Sequence, residues 1–216
     1  MAIITISRQF ASEGDAIARN LSKKIGYPLV DKAILERIYY QFGYTDFQEV
    51  YDQNSIWTRF DTHHAEMVHL LKRIFVGFTH MDRMVLLGRG GFSALKDYPN
   101  VLNIKVQAPF GVRVERTMRI EGIANRTIAE KIVLEEDQRR REFVEAIHDG
   151  KWDDASCFDL IIDSSKVPLE MAVEWIEQAA SWMDRAGKKA HLTPEGEPAD
   201  PVVLQAIRDA MAKKPA

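Results

Sequence analysis

The chain has 216 residues, of which 46% are hydrophobic and 28% charged, and a net charge of −3. This size fits one domain of moderate size plus an appendage, with enough core to fold without disulfides or metals. The charge balance argues against nucleic-acid binding. The apolar runs are too short to cross a membrane, and a lone cysteine, Cys157, with no signal-peptide pattern points to a reducing cytoplasm.

Read in chain order, Ala2–Ile6 is an apolar β-type run that enters a polar loop, Ser7–Gly14. A helix with apolar Ile17, Ala18, Leu21 and Ile25 follows and ends near Gly26, and a short strand then delivers Asp31. KAILERIYYQF after Asp31 has helical spacing, whereas TDFQEVYDQNSIW reads as a mobile segment or short helices. Residues 60–82 form a long helix with Met67, Leu70, Leu71, Ile74 and Phe78 on one side. Met84–Leu87 is a buried-type strand running into Gly88-Arg89-Gly90-Gly91, and Val101–Val106 is another strand. Residues 110–121 and 127–147 are helical, Phe158–Ile162 is the last strand, and Pro168 opens a helix running to about Arg185. Short Ile-, Val- and Leu-rich strands alternating with helices predict a parallel sheet covered on both faces. The domain therefore spans 1–186, and 187–216 is a Pro-rich linker followed by an amphipathic helix with Val203, Ile207 and Ala210 on one side. Such a helix docks on its own domain or on a partner, which leaves a homodimer open.

The opening strand, loop, helix and strand form the first unit of a phosphate-binding α/β domain, whose helix N-terminus aims N–H groups at an anion. The loop departs from the Walker pattern GxxxxGK[ST]. The matching window runs Arg8-Gln9-Phe10-Ala11-Ser12-Glu13-Gly14-Asp15, so both glycines, the lysine and the hydroxyl are replaced. Arg113, Arg116, Arg119, Arg126, Arg139, Arg140 and Arg141 make one third of the chain basic, which suits a small anionic ligand. His63, His64 and His69 with Glu66 lack the HExxH spacing of a zinc site.

The order of motifs resembles the cytidylate kinase-like branch of the P-loop nucleoside monophosphate kinases. ITISRQ with its small-residue loop resembles the family opening ITISRQxGSGG. VDKAIL, LLGRGG, EDQRRREF and FDLIIDSSKVPLEMAVEWI resemble later family signatures, in the same order. The resemblance implies a three-layer α/β fold with a small helical lid, here roughly residues 120–150. It also implies ATP with Mg2+ as donor, and a nucleoside monophosphate or other small acceptor.

The resemblance assigns roles residue by residue. Arg8, Gln9, Ser12 and Gly14 contact the donor phosphates, with Arg8 supplying the charge of the absent lysine. Asp15 stands where a hydroxyl touches Mg2+, although an acidic residue in a first helical turn also complements the dipole. Relatives carry Gly and Arg where this chain has Glu13 and Asp15, and Ala11 replaces a further Gly. Gly88 and Arg89 hold the acceptor phosphate, with Asp31 and Arg37 beside them, and Gly90 replaces an Asp that relatives carry. Arg140 is the lid arginine of a D-x-x-R unit begun by Asp137 and joins Arg8 as a catalytic candidate. The damaged loop leaves open a non-catalytic nucleotide- or anion-binding regulatory module, or a structural dimer that kept the fold.

Overall fold

A computed structural model describes residues 2–45, 62–81, 83–147, 151–186 and 199–212. Five strands form one parallel sheet: β1 (Ile3–Arg8), β2 (Leu29–Val30), β3 (Val85–Leu87), β4 (Val101–Gln107) and β5 (Leu160–Asp163), in the order β2-β3-β1-β4-β5. The expected strands and their parallel pairing are present. The last strand starts two residues later than Phe158, because Ala155–Cys157 closes into a 3-10 turn first.

The alternation of side chains along β1 sorts the core into two layers. Ile4 and Ile6 face α1 (Gly14–Ile25) and α7 (Leu169–Ala186), where Ile17, Leu21, Val173 and Ile176 pack with Ile104 and Ile162. Ile3 faces the opposite layer, built from α2 (Lys32–Gln41), α3 (Thr62–Thr79) and α8 (Pro201–Ala212). The apolar stripe of α3 is fully used, since Met67, Leu70, Leu71, Ile74 and Phe78 are all buried. Each such side chain contributes about 1.5–3 kcal/mol on burial. The C-terminal helix α8 docks on this layer of its own domain. Val203 and Ile207 sit against Gly77, where a Cβ would fall 2.7 Å from the Ile207 Cδ1, and Arg73 pairs with Asp200.

Three further helices lie among the described residues: a short α4 (Gly91–Ala94), α5 (Phe110–Glu121) and α6 (Arg126–Ile147). The second layer turns polar toward the C-terminal ends of the strands. Thr5 donates to Asn103 at 2.7 Å, and Ser7 and Lys105, in register one step on, are also buried. The loops after β1 and β3 meet at this edge, where the Gly88 amide donates to the Ile6 carbonyl at 2.9 Å. Among the described residues no helix is long and apolar enough to cross a membrane. Much of the TDFQEVYDQNSIW segment, the 187–198 linker and the side chains of His63 and His64 lie outside the described residues.

Candidate functional site

The loop after β1 is held by its own backbone conformation. Ala11 (φ 56°) and Glu13 (φ 65°) both adopt the left-handed region that favours glycine. These are the two positions where the sequence replaces family glycines, so the chain keeps the glycine conformation without the glycine. Glu13 is the N-cap of α1, and the first-turn N–H groups of Gly14, Asp15 and Ala16 have no partner within the helix. Such a terminus favours an anion.

Arg8 ends β1 and lies between two glycines. A Cβ on Gly14 would fall 2.5 Å from the Arg8 Cβ, and one on Gly88 would fall 2.2 Å from its Nη1. The Arg8 guanidinium donates to both Asp15 oxygens, at 2.9 and 3.3 Å. Burial pushes the Asp15 carboxyl upward, but the charge and hydrogen bonds of Arg8, helped by Arg140 and Arg19, hold it below the ordinary carboxylate range. Glu13 is likewise paired, with Arg116 at 3.2 Å. Arg116 in turn donates to the Ala11 carbonyl and to the Ser164 hydroxyl and carbonyl, so it ties the loop to the end of β5.

Other candidates are placed as follows. The Ser12 side chain is buried, and its hydroxyl donates to the carbonyls of Gln9 and Val106. The Gln9 side-chain oxygen accepts the Ala108 amide. Asp31 caps α2 by accepting the Ile34 amide at 3.2 Å. Arg37 reaches the Ala210 carbonyl at the end of α8, at 3.4 Å. Asp163 caps its own turn by accepting from Ser165.

Arg8, Arg89 and Arg140 meet in one narrow cavity, whose floor is Ser7 with Gly88 and Gly90. Phe143, Val144 and Trp152 wall it from the other side. Gly88, Arg89 and Gly90 all have positive φ (75°, 57° and 75°), which turns the chain back on itself at the end of β3. Arg89 lies over the Phe143 ring at 5.7 Å and Arg140 over Phe10 at 5.3 Å. Arg140 also donates to the carboxylate and carbonyl of Glu136. Arg139 pairs with Glu136 and Arg141 with Asp153.

Sequence reasoning missed Lys105, Trp152 and Asp153. Lys105 is 4% exposed on β4, bonded to Asp153 at 2.9 Å and flanked by the rings of Trp152 and Phe158 at 5.4 Å each. A single lysine inside the apolar run VLNIKV was the available signal.

Asp15 is the expected Mg2+ ligand, and in this arrangement its carboxylate is taken by Arg8. Both Asp15 oxygens face the Arg8 guanidinium, and among the described residues no group of three or more His, Cys, Asp or Glu is arranged to hold a metal ion.

A five-stranded parallel sheet, a helix N-terminus behind β1 and arginines gathered at one strand edge define a kinase-like α/β protein of the P-loop class. The chain belongs to the cytidylate kinase-like family, whose profile matches residues 3–166. A cytidylate kinase of Pyrococcus abyssi is 27% identical over 164 residues, covering 76% of this chain and 85% of that protein. An uncharacterized protein from Eubacterium ventriosum superposes with a TM-score of 0.63 at 21% identity, covering 84% of this chain and 99% of that one. A shikimate kinase from Bacteroides thetaiotaomicron gives a TM-score of 0.49 at 11% identity over 83% of this chain and 98% of that one.

Proposed function

We propose that this protein binds a nucleoside triphosphate, ATP being the reference donor, and transfers its terminal phosphoryl group to a small acceptor such as a nucleoside monophosphate. The observation that carries the reading is the convergence of Arg8, Arg89 and Arg140 on one cavity beside the N-terminus of α1. Phosphoryl transfer needs positive charge and N–H donors around oxygens that gain charge, and little else from the protein. Membership of the family supports the same reading.

In this assignment the first-turn N–H groups of α1 and Arg8 receive the donor phosphates. Arg89 holds the acceptor's anionic group, for which its planar fork is suited. Arg140, carried by α6, neutralises charge on the group in flight. An acceptor oxygen forms a bond to the terminal phosphorus while the bond to the bridging oxygen breaks, and the nucleoside diphosphate leaves. Mg2+ enters with the nucleotide as part of the substrate. The inward Ser12 hydroxyl and the Arg37–Ala210 contact leave those two side chains supporting the loop and α2 in the arrangement described.

A second reading, a nucleotide- or anion-binding regulatory module without turnover, is favoured by one feature. Both loop carboxylates are already paired, Asp15 with Arg8 of the cavity and Glu13 with Arg116. Formation of ADP from Mg·ATP with CMP, dCMP and other small acceptors separates the two. Acceptor-dependent ADP is expected; saturable binding of ATP without any ADP would establish the regulatory reading instead.

A further inference from the structure

Two residues of the loop after β1 hold a backbone conformation that suits glycine, and neither is glycine: Ala11 at φ 56° and Glu13 at φ 65°. A Cβ crowds the neighbouring peptide at such a φ, so the conformation persists only where the surroundings fix it. Glu13 is also the N-cap of α1, yet its side chain makes no capping bond to the first turn. The loop is therefore not held by the side-chain cap that commonly fixes a helix start.

Arg116 of α5 touches both strained residues. Its guanidinium donates to the Ala11 carbonyl at 3.3 Å and pairs with the Glu13 carboxylate at 3.2 Å. The guanidinium is itself anchored, because it donates to the Ser164 hydroxyl and carbonyl, each at 2.9 Å. Ser164 is buried just beyond β5, and its amide donates to the Gln107 carbonyl at the end of β4. The Arg116 side chain is 13% exposed, so these bonds are shielded from water. One turn earlier on α5, Arg113 donates to the Phe10 carbonyl at 3.2 Å. Two arginines of one helix thus take successive carbonyls of the loop and turn them toward α5. The planar fork of arginine suits this, since its donors reach several acceptors in fixed directions.

We propose that Arg116 is a positioning residue that takes the place of the absent loop glycines: it clamps Ala11 and Glu13 in the left-handed conformation and so sets the N-terminus of α1 to receive phosphate. The inference rests on the phosphate role proposed above for that terminus. It gives the Glu13 carboxylate a use, as the handle by which Arg116 holds a strained residue. Glycine takes a positive φ without strain and needs no clamp. Arg116, Ala11 and Glu13 therefore act as one unit, and Arg116 becomes dispensable once the two loop positions are glycine.

Glycine rescue in the whole chain tests this, read by amide hydrogen exchange across residues 9–17 without ligand and by calorimetry with Mg·ATP. Arg116→Gln is expected to speed loop exchange and to weaken Mg·ATP binding, each by about fivefold or more. Adding Ala11→Gly and Glu13→Gly is expected to return loop exchange to within about twofold of wild type and to restore Mg·ATP affinity to at least the wild-type value. Adding Glu13→Gln instead removes the charge but keeps the Cβ, and is expected to leave loop exchange as fast as in Arg116→Gln alone. Arg116→Lys keeps the charge without the fork. It is expected to show a smaller loss that the two glycines also remove, and it carries the test if Arg116→Gln does not fold. Absence of any loss, no rescue by glycine, or rescue of loop exchange by Glu13→Gln overturns the proposal. Weaker Mg·ATP binding with unchanged loop exchange also overturns it, and places Arg116 on the nucleotide. The expected exchange pattern with no Mg·ATP binding in any variant upholds the clamp and removes the triphosphate reading.

Discussion

Arg8 gives its guanidinium to both oxygens of Asp15, seven residues further along, so the cation that closes β1 is already held by a carboxylate of the next helix. The pair sits where donor phosphates are expected, and an incoming anion must share Arg8 with Asp15 or displace it.

This pairing fixes a pH response. Asp15 titrates below its ordinary value, so its stabilising contribution is complete above about pH 4 and is lost as pH falls below that range. Asp15→Asn removes the titration. Urea unfolding at about pH 7 and about pH 3 is expected to show the wild type losing more stability on acidification than the variant. Equal losses would mean that the pair contributes nothing in solution.

Gly14 leaves the space that Arg8 fills. A methyl group at Gly14 would lie 2.5 Å from the Arg8 Cβ and 2.8 Å from its Cγ, so backbone or arginine must shift. Gly14→Ala is expected to cost about 1–3 kcal/mol, read as a lower denaturant midpoint.

Ala11 offers the opposite test. Its φ of 56° is strained for a residue with a Cβ, and glycine relieves that at some cost in unfolded-state entropy. Ala11→Gly is expected to stabilise the protein by up to about 1 kcal/mol. A lower midpoint in the variant would show that the loop conformation in solution differs.

Arg89 tests the proposed assignment of donor and acceptor. Arg89→Ala is expected to weaken acceptor binding by tenfold or more and Mg·ATP binding far less, since a charge-assisted bond to phosphate contributes about 1.5–3 kcal/mol. Equal loss of both in calorimetry would assign Arg89 to the donor instead.

The fold was legible because its signals are periodic and local. The α3 stripe from Met67 to Phe78 predicts a buried face and the apolar run Ala2–Ile6 a strand covered on both sides, and both are buried. The charges of the site were less legible, since pairing is a property of tertiary structure. Read as a sequence, Glu13 and Asp15 stand as two unopposed carboxylates in a phosphate loop. In the structure each has an arginine, Arg8 for Asp15 and the distant Arg116 for Glu13. Arg37 was placed by its distance from Asp31, which carries no information about the C-terminal helix that its side chain reaches. Lys105 was passed over because a lysine in a buried strand makes sense only beside Asp153 and the rings of Trp152 and Phe158.

If the proposed function holds, this loop receives a triphosphate only weakly, because Glu13 and Asp15 hold the arginines Arg116 and Arg8 beside it. Calorimetric titration with Mg·ATP of the wild type and of the double variant Glu13→Gly, Asp15→Arg tests it most directly. At an effective dielectric of about 20, a carboxylate close to phosphate costs a few kcal/mol at most, and solvent and salt reduce this to about 1 kcal/mol. Weak binding by the wild type and affinity tighter by about tenfold or more in the variant are the expected results. Tight binding by the wild type, or no binding by either protein, would contradict the account.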